Sequence, residues 1–435
     1  MTVVADLHLH SRFSRAVSQQ MTIPNMSIWA RKKGITLLAT TDWTHPVWLS
    51  ELKGSLEEDG SGLLRHKGAG PDDATRFLLA SEISSIYSSG GRVRRIHTIM
   101  VAPSFAVVEK VNAGLAGLGV NLSSDGRPIM GLSSRDLLTL LLNIDPRNYL
   151  IPAHVWTPWF SLYGSNSGFD SIDECFGDLS DEVFAAETGL SSDPAMNWRI
   201  AELDTRSIVS FSDAHSLEKM GRELTIFDCD LTFDSLKEAM KKEKIRGTIE
   251  FYPEEGKYHW TGHRNCGVRQ SPQETKSKGT TCPKCGRQLT VGVEHRVDFL
   301  ASRSEEELEL TTDVHGWVRS KMFPKRPPYR RLVPLYEILA EAVGTLPKSQ
   351  KVATMYDWLI ETFGSELTVL MKTPLEDLRS VVEPRVAEGI DKVRRNDIVV
   401  DPGFDGEYGK VKIWKEGEGA TSADSLAEDQ QIGLF

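Results

Sequence analysis

The sequence predicts an α/β chain: a barrel of strands and helices, then a small metal-binding module, then a helical C-terminal region. Three observations point there. Short apolar runs alternate with helical stretches over the first 250 residues, and most of these runs lead into a His, Asp or Glu. Groups of that kind at the carboxyl ends of strands are the pattern of an α/β barrel. Two short-spaced pairs of His and Cys follow near residues 263–285, and the chain beyond Pro334 reads as helix.

Length and composition set the frame. A chain of 435 residues is too long for one ordinary core, so two or three domains are expected. At 40% apolar and 26% charged the balance is that of a globular chain. No apolar run reaches the length of a membrane span, and the N-terminus enters a strand without a basic segment, so neither a membrane partner nor a signal peptide is expected. Five cysteines, three of them bunched, suit a reducing cytoplasm and a metal site better than a disulfide framework. The net charge of −10 argues against a wholly basic nucleic-acid binder, but the charge is uneven.

The first run, Val3-Val4-Ala5, leads into Asp6-Leu7-His8-Leu9-His10. Alternate side chains of a strand share a face, so His8 and His10 point the same way and together could hold one ion. Ile35–Ala39 leads to Asp42 and His45. Phe77–Ala80 leads to Glu82, and His97 lies near the start of the strand from Ile96 to Val101. Tyr149–Pro152 leads to His154, Val183–Ala186 to Glu187, and Ser207–Phe211 to Ser212-Asp213-Ala214-His215. Helices are expected at Ser133–Asn143 with a Ser cap and at Asp234–Lys244 with an Asp cap. Six strand ends each offering a titratable group would cost desolvation without a partner, and a shared cluster of ions removes that cost.

These residues, Asp6-x-His8-x-His10, Asp42, Glu82, His97, His154 and Ser212-Asp-Ala-His215, resemble the motifs of the PHP (polymerase and histidinol phosphatase) family. The resemblance implies a distorted seven-stranded barrel holding two or three divalent metals (Zn, Mn or Mg) and cleaving phosphoesters. It implies His8, His10, Glu82 and Asp213 as ligands of one ion, with Glu82 bridging to a second held by His97 and His154, and His215 on a third. The chain departs from the family around that third position, where Trp43 follows Asp42 and Ser14-Arg15 replaces a usual ligand. Asp42 and His45 are the candidates to complete it. Arg12 and Arg15 are read either as surface charge or as phosphate neutralisers, and Arg15 joins Asp213, His215 and Glu82 as a catalytic candidate. Glu187 is left open between ligand, support and DNA contact.

In the middle, His263-x2-Cys266 and Cys282-Pro-Lys-Cys285 have the spacing of a tetrahedral structural zinc site. His263 is the leading fourth ligand, with His259 and His295 as alternatives. Six basic residues and no acidic ones lie between Arg319 and Arg331, read as a linker that either stays solvated or tracks a phosphate backbone through Lys325, Arg326 and Arg330. Helices are expected at Pro334–Val343, Ser349–Phe363 and Leu375–Lys392.

The order of parts narrows the family. Gly262-His-Arg-Asn-Cys266 with Cys-Pro-x-Cys, Thr290–Val297, Asp42-Trp-Thr-His-Pro46 and His154-Val-Trp-Thr-Pro-Trp159 resemble endonuclease Q over roughly residues 1 to 410. The resemblance implies nicking of DNA on the 5′ side of deoxyuridine, deoxyinosine, deoxyxanthosine or an abasic site. Trp156 and Trp159, next to His154, are then candidates for a wedge or pocket wall around a flipped base. The alternative is a small-molecule phosphoesterase of histidinol-phosphatase type, against which the zinc module and basic run argue.

The domains are read as 1–250, the phosphoesterase; 251–300, the zinc module; 301–410, a helical DNA-binding region with its basic linker; and 411–435, an acidic tail expected to be disordered. The tail's end, Gln431-Ile432-Gly433-Leu434-Phe435, resembles the peptide by which repair and replication proteins dock on sliding clamps. Gln431 would fix the register and Ile432, Leu434 and Phe435 would anchor. A cytoplasmic monomer is the simplest expectation.

Overall fold

The computed structural model describes residues 1–70 and 73–415. Val3 and Ala5 bury one side of the first strand, Thr2–Asp6. It pairs antiparallel with Leu224–Asp228 and parallel with Leu37–Ala39. Parallel pairing continues from Leu37–Ala39 to the long strand Arg76–Ser89. That strand forms an antiparallel hairpin with Arg92–Ala102, which in turn pairs antiparallel with Tyr149–Pro152. Ala185–Glu187 and Ser207–Val209 make a parallel pair, and the chain beyond them bridges back from Ala214 to Leu9. The strands that carry the polar groups therefore come round one centre.

Not every such group sits at a strand end. Glu82 and His97 lie well inside the two longest strands. The register pairs Glu82 with Ile99 and Ser84 with His97, which sets Glu82 and His97 diagonally on one face of the hairpin.

The helices follow their caps. Ser133 accepts from Asp136 N at 3.0 Å and starts Ser134–Ile144. Thr232, not Asp234, caps Phe233–Lys241, since its hydroxyl accepts from Ser235 N. The expected long helix from Leu375 is two, Leu375–Val381 and Pro384–Arg394, because Pro384 has no N–H and can only open a new helix.

The basic run is not a free linker. Tyr329–Arg331 pairs in parallel with Ile245–Glu250 and so joins the main sheet, with Val318–Ser320 and Leu310–Thr312 beyond it at the edge. One apolar core runs through the main sheet and the C-terminal helices. A separate small core of Val268, Cys282 and Leu289 holds the cysteine module. No helix among the described residues is long and apolar enough to cross a membrane.

Candidate metal centre

Four donor atoms converge at the open end of the first strand. Nε2 of His8 lies 3.5 Å from Oε2 of Glu82 and 3.7 Å from Oδ1 of Asp213. Nε2 of His10 lies 3.3 Å from the same Glu82 oxygen and 3.0 Å from the same Asp213 oxygen. Ligands about 2.0–2.1 Å from a tetrahedral ion stand roughly 3.4 Å apart, so His8, His10 and Glu82 fit round one cation, with Asp213 against the two imidazoles. The Nε2 atom of His8 is buried with no hydrogen-bond partner among the described residues, which is what a ligand position leaves behind.

Glu82 turns its other oxygen to a second group. Its Oε1 is 2.7 Å from Nδ1 of His97 and 3.2 Å from Nε2 of His154, and those two nitrogens are 3.3 Å apart. One carboxylate thus faces two cation-sized clusters. A third grouping, of His10, Asp213 and His215, shares His10 with the grouping of His8, His10 and Glu82.

The supporting contacts fix which nitrogen points inward. Nδ1–H of His8 donates to Oε1 of Glu187 at 2.9 Å, and the other oxygen of Glu187 accepts from His154 N at 2.7 Å. Ser161 donates its hydroxyl to the carbonyl of His154 and meets His154 Nδ1 at 3.1 Å, so Nδ1 carries the proton and Nε2 is left free. Fully buried Asp6 accepts from Ser212 N and Gly221 N, tying the first strand to the loop that presents Asp213. Burial pushes the carboxyl of Asp6 up to about 6. His154 and Asp213 hold left-handed backbone angles, φ 30° and 45°, unfavourable for residues with side chains and kept here by those contacts.

Charge is concentrated and balanced. Burial alone would raise the carboxyl of Glu82, but Arg127 and the surrounding histidines hold it well below the usual range. Burial drives His97 down to about 4, leaving a neutral imidazole suited to a cation. His10 moves the other way, to about 10: burial opposes the shift, and hydrogen bonds that its ring donates to Asp213, Asp42 and Glu82 overcome it.

The remaining expected residues fall elsewhere. Asp42 is buried, but its carboxylate accepts from Ser11 N, Ser11 Oγ and Ser14 Oγ at 2.6–2.9 Å, and it reaches His10 only at Nδ1, 3.4 Å away. It orients rather than faces the clusters. His45 stacks on Phe13 and caps the helix Pro46–Ser55. Arg15 is exposed. The guanidinium that meets Glu82 belongs to Arg127, whose Nη1 donates to Oε2 at 2.8 Å. The strand pattern offered no signal for Arg127, because it sits on an irregular turn. Gly126 lets that turn close against Asp42 and Ser14, where a Cβ would collide.

Trp156 is fully buried, stacks on Tyr163 and donates to Asn197, so it is core and cannot line a base pocket. Trp159 is half-buried and meets Tyr258 edge-to-face. Arg326 spends its guanidinium on the carbonyls of Leu203 and Arg206 and on Glu243, and Arg330 is 2% exposed beside Arg394 O. Both guanidiniums are buried within the fold. Lys325 is exposed.

In the small module, His263, Cys266, Cys282 and Cys285 bring their ligand atoms within 4.8 Å of one another. His263 Nδ1 lies 3.4 Å from Cys285 Sγ. Desolvation opposes ionisation of Cys282, but His263 and backbone N–H groups of the knuckle pull its thiol down to about 6. His259 is turned to Glu294 instead, and His295 is outside the group.

A family model for the MJ0043 C-terminal domain matches residues 334–397. The chain is 35% identical over 266 residues to the uncharacterized protein MJ0043 of Methanocaldococcus jannaschii, a match covering 59% of this chain and 31% of that protein, so it spans under a third of that relative's length. It is 30% identical over 436 residues to the uncharacterized protein YqxK of Bacillus subtilis, covering 94% of this chain and 99% of the relative. Among solved structures, the lesion-specific endonuclease PfuEndoQ of Pyrococcus furiosus superposes with a TM-score of 0.80 at 31% identity over 98% of each chain. An Endonuclease Q bound to a 27-mer duplex substrate with an abasic lesion at the active site superposes with a TM-score of 0.81 at 32% identity, over 98% of this chain and 100% of that one. With identity above 30% sustained along essentially its whole length, the chain belongs to the endonuclease Q family.

Proposed function

We propose that this protein is a DNA repair endonuclease. It hydrolyses the phosphodiester on the 5′ side of a deaminated base (deoxyuridine, deoxyinosine or deoxyxanthosine) or of an abasic site. The observation that carries the reading is Glu82, one buried carboxylate facing two cation-sized clusters, in a chain akin to a protein solved on abasic DNA.

We read the ring of strand pairs as the distorted seven-stranded PHP barrel, with 251–300 as a zinc module and 301–410 as the DNA-binding region. His8, His10, Glu82 and Asp213 would hold one divalent ion (Zn, Mn or Mg), and Glu82, His97 and His154 a second. The edge of His10, Asp213 and His215 is the place for a third. Bound ions there acidify water, clamp phosphate oxygens and stabilise the leaving oxygen. The protein's own groups do the rest. Glu187 holds His8 and the backbone of His154 in place. Arg222 grips the carbonyls of Ser212 and Asp213 and fixes the loop that presents the Asp213 carboxylate. Arg127, part-buried beside Glu82, is placed to neutralise a phosphate oxygen brought to the centre. A damaged or missing base pairs weakly, so swinging its nucleotide out of the duplex costs less than for a normal base.

His263, Cys266, Cys282 and Cys285 are read as ligands of one structural Zn. The peptide Gln431, Ile432, Leu434 and Phe435 lies outside the described residues. We propose from its sequence alone that it docks on a sliding clamp, and that its deletion abolishes clamp pull-down without changing nicking of free oligonucleotides. A cytoplasmic monomer is part of the same reading.

The test is direct. Labelled duplexes bearing uracil, hypoxanthine, an abasic site or normal bases are incubated with the protein and Mg²⁺, Mn²⁺ or Zn²⁺, beside a small phosphomonoester. Nicking next to the lesion is expected. Phosphate release from the monoester with every duplex intact would overturn the reading in favour of a small-molecule phosphoesterase.

A further inference from the structure

A line of accessible aromatic rings leaves the metal centre. The ring of Phe160 lies 4.7 Å from that of His97, with Arg95 over it at 5.8 Å. Next to it in the chain, Trp159 meets Tyr258 at 5.4 Å. The ammonium of Lys257 then stands 5.6 Å from the Tyr258 ring and 5.8 Å from the ring of Tyr408, which is 53% exposed.

Packing alone does not account for this line. Buried aromatics of the barrel, such as Trp156 and Tyr163, are sealed, whereas Trp159, Phe160, Tyr258 and Tyr408 all keep access to solvent. They come from three separate segments: the loop after His154, the chain just before the cysteine module, and the hairpin of Val399–Asp401 with Lys410–Lys412. Phe160 holds φ 63°, a costly conformation for an aromatic residue, and it does so where its ring covers His97. Asp405 of the same hairpin is already committed to Arg264 N and Thr290 Oγ1, so it does not neutralise Lys257 by direct contact.

Half-exposed rings interleaved with cations match the chemistry of an unpaired nucleic-acid strand: each base has a face to stack, and each phosphate needs a counter-charge. We propose that the strip Phe160–Trp159–Tyr258–Tyr408 stacks the unpaired nucleotides of the cut strand beside the lesion, with Arg95 and Lys257 on their phosphates. The proposal rests on the endonuclease reading and adds where the strand runs: from the centre across the start of the cysteine module to the C-terminal hairpin.

The experiment uses the full chain and lesion duplexes carrying 2-aminopurine at single positions on either side of the lesion, blocked at the scissile phosphate by a methylphosphonate. Stacking on the strip should quench the reporter at two or more neighbouring positions on one side. Tyr258→Ala and Tyr408→Ala should each restore fluorescence at one position. On unblocked substrate they should raise KM about tenfold, with kcat and metal content unchanged. Tyr258→Phe and Tyr408→Phe keep the ring and should behave as the parent protein. If the Ala variants bind, quench and cut like the parent, or if the Phe variants fail equally, the strip is refuted. A parent protein that nicks no lesion duplex would instead overturn the functional reading, which the same assay reports separately.

Discussion

Arg127 donates to the very oxygen of Glu82 that faces His8 and His10, at 2.8 Å and largely out of solvent. Were a cation to occupy that oxygen, the guanidinium would be left free to face a phosphate brought to the centre. Arg127→Ala should lower kcat by about 10²–10³-fold, the usual loss when a charge-stabilising donor is removed. Metal content measured by atomic absorption should stay at the parent value. Full activity in the alanine variant would remove Arg127 from the mechanism.

Glu187 grips two ligand residues at once, His8 through Nδ1 and His154 through its backbone N–H. Glu187→Gln turns one of those acceptors into a donor. Affinity for the barrel metals should fall about 10–100-fold, read by competition with a fluorescent chelator. An unchanged dissociation constant would mean the two histidines are positioned by packing alone.

The two tryptophans of the 156–159 loop should part company. Trp156 is sealed in the core, so Trp156→Ala should cost roughly 3–5 kcal/mol and lower Tm sharply. Trp159→Ala should leave Tm nearly unchanged and reduce the preference for lesion over normal duplex. Similar melting for both variants would contradict the burial difference.

Glu223 and Glu250 are buried behind the centre, with Glu250 accepting from Ser210 Oγ. Burial pushes Glu250 up to about 8 and also raises Glu223, whereas an unfolded glutamate titrates at ~4.3. Between those values the folded chain holds protons that the unfolded chain has lost. This contribution to stability is therefore present at low pH and fades as pH rises toward 8. Glu250→Gln should flatten that decline, seen as a smaller drop in denaturation midpoint from pH 5.5 to 8.5. Parallel curves for parent and variant would show that the carboxyl does not titrate with folding.

Much of the centre was legible because its groups follow directly on short apolar strands. His8, His10, His154 and Asp213 stand two to four residues past such strand ends. Glu82 and His97 lie inside two longer strands, and their meeting depends on antiparallel register, which local pattern does not encode. Arg127 was invisible for a related reason: a turn held by Gly126 places it, and no period marks a turn. The arginines at 326 and 330 misled in the opposite direction. A run of positive charge reads as solvated, yet these guanidiniums satisfy backbone carbonyls that the chain leaves open inside the fold. Trp156 beside a ligand suggested a pocket wall, and only packing shows that its indole faces Tyr163 and Asn197.

The hairpin of Arg76–Ser89 and Arg92–Ala102 carries Glu82 and His97 far from its own turn at Gly90-Gly91. A slip of one residue would rotate both ligands away, so ladder pairing locks the chemistry. The turn itself bears none of that constraint. Its exposed Arg92 and Val93 can be lengthened, shortened or recharged while the ligand pair stays put. The tip is thus free to change while the ladder behind it keeps the two side chains facing each other.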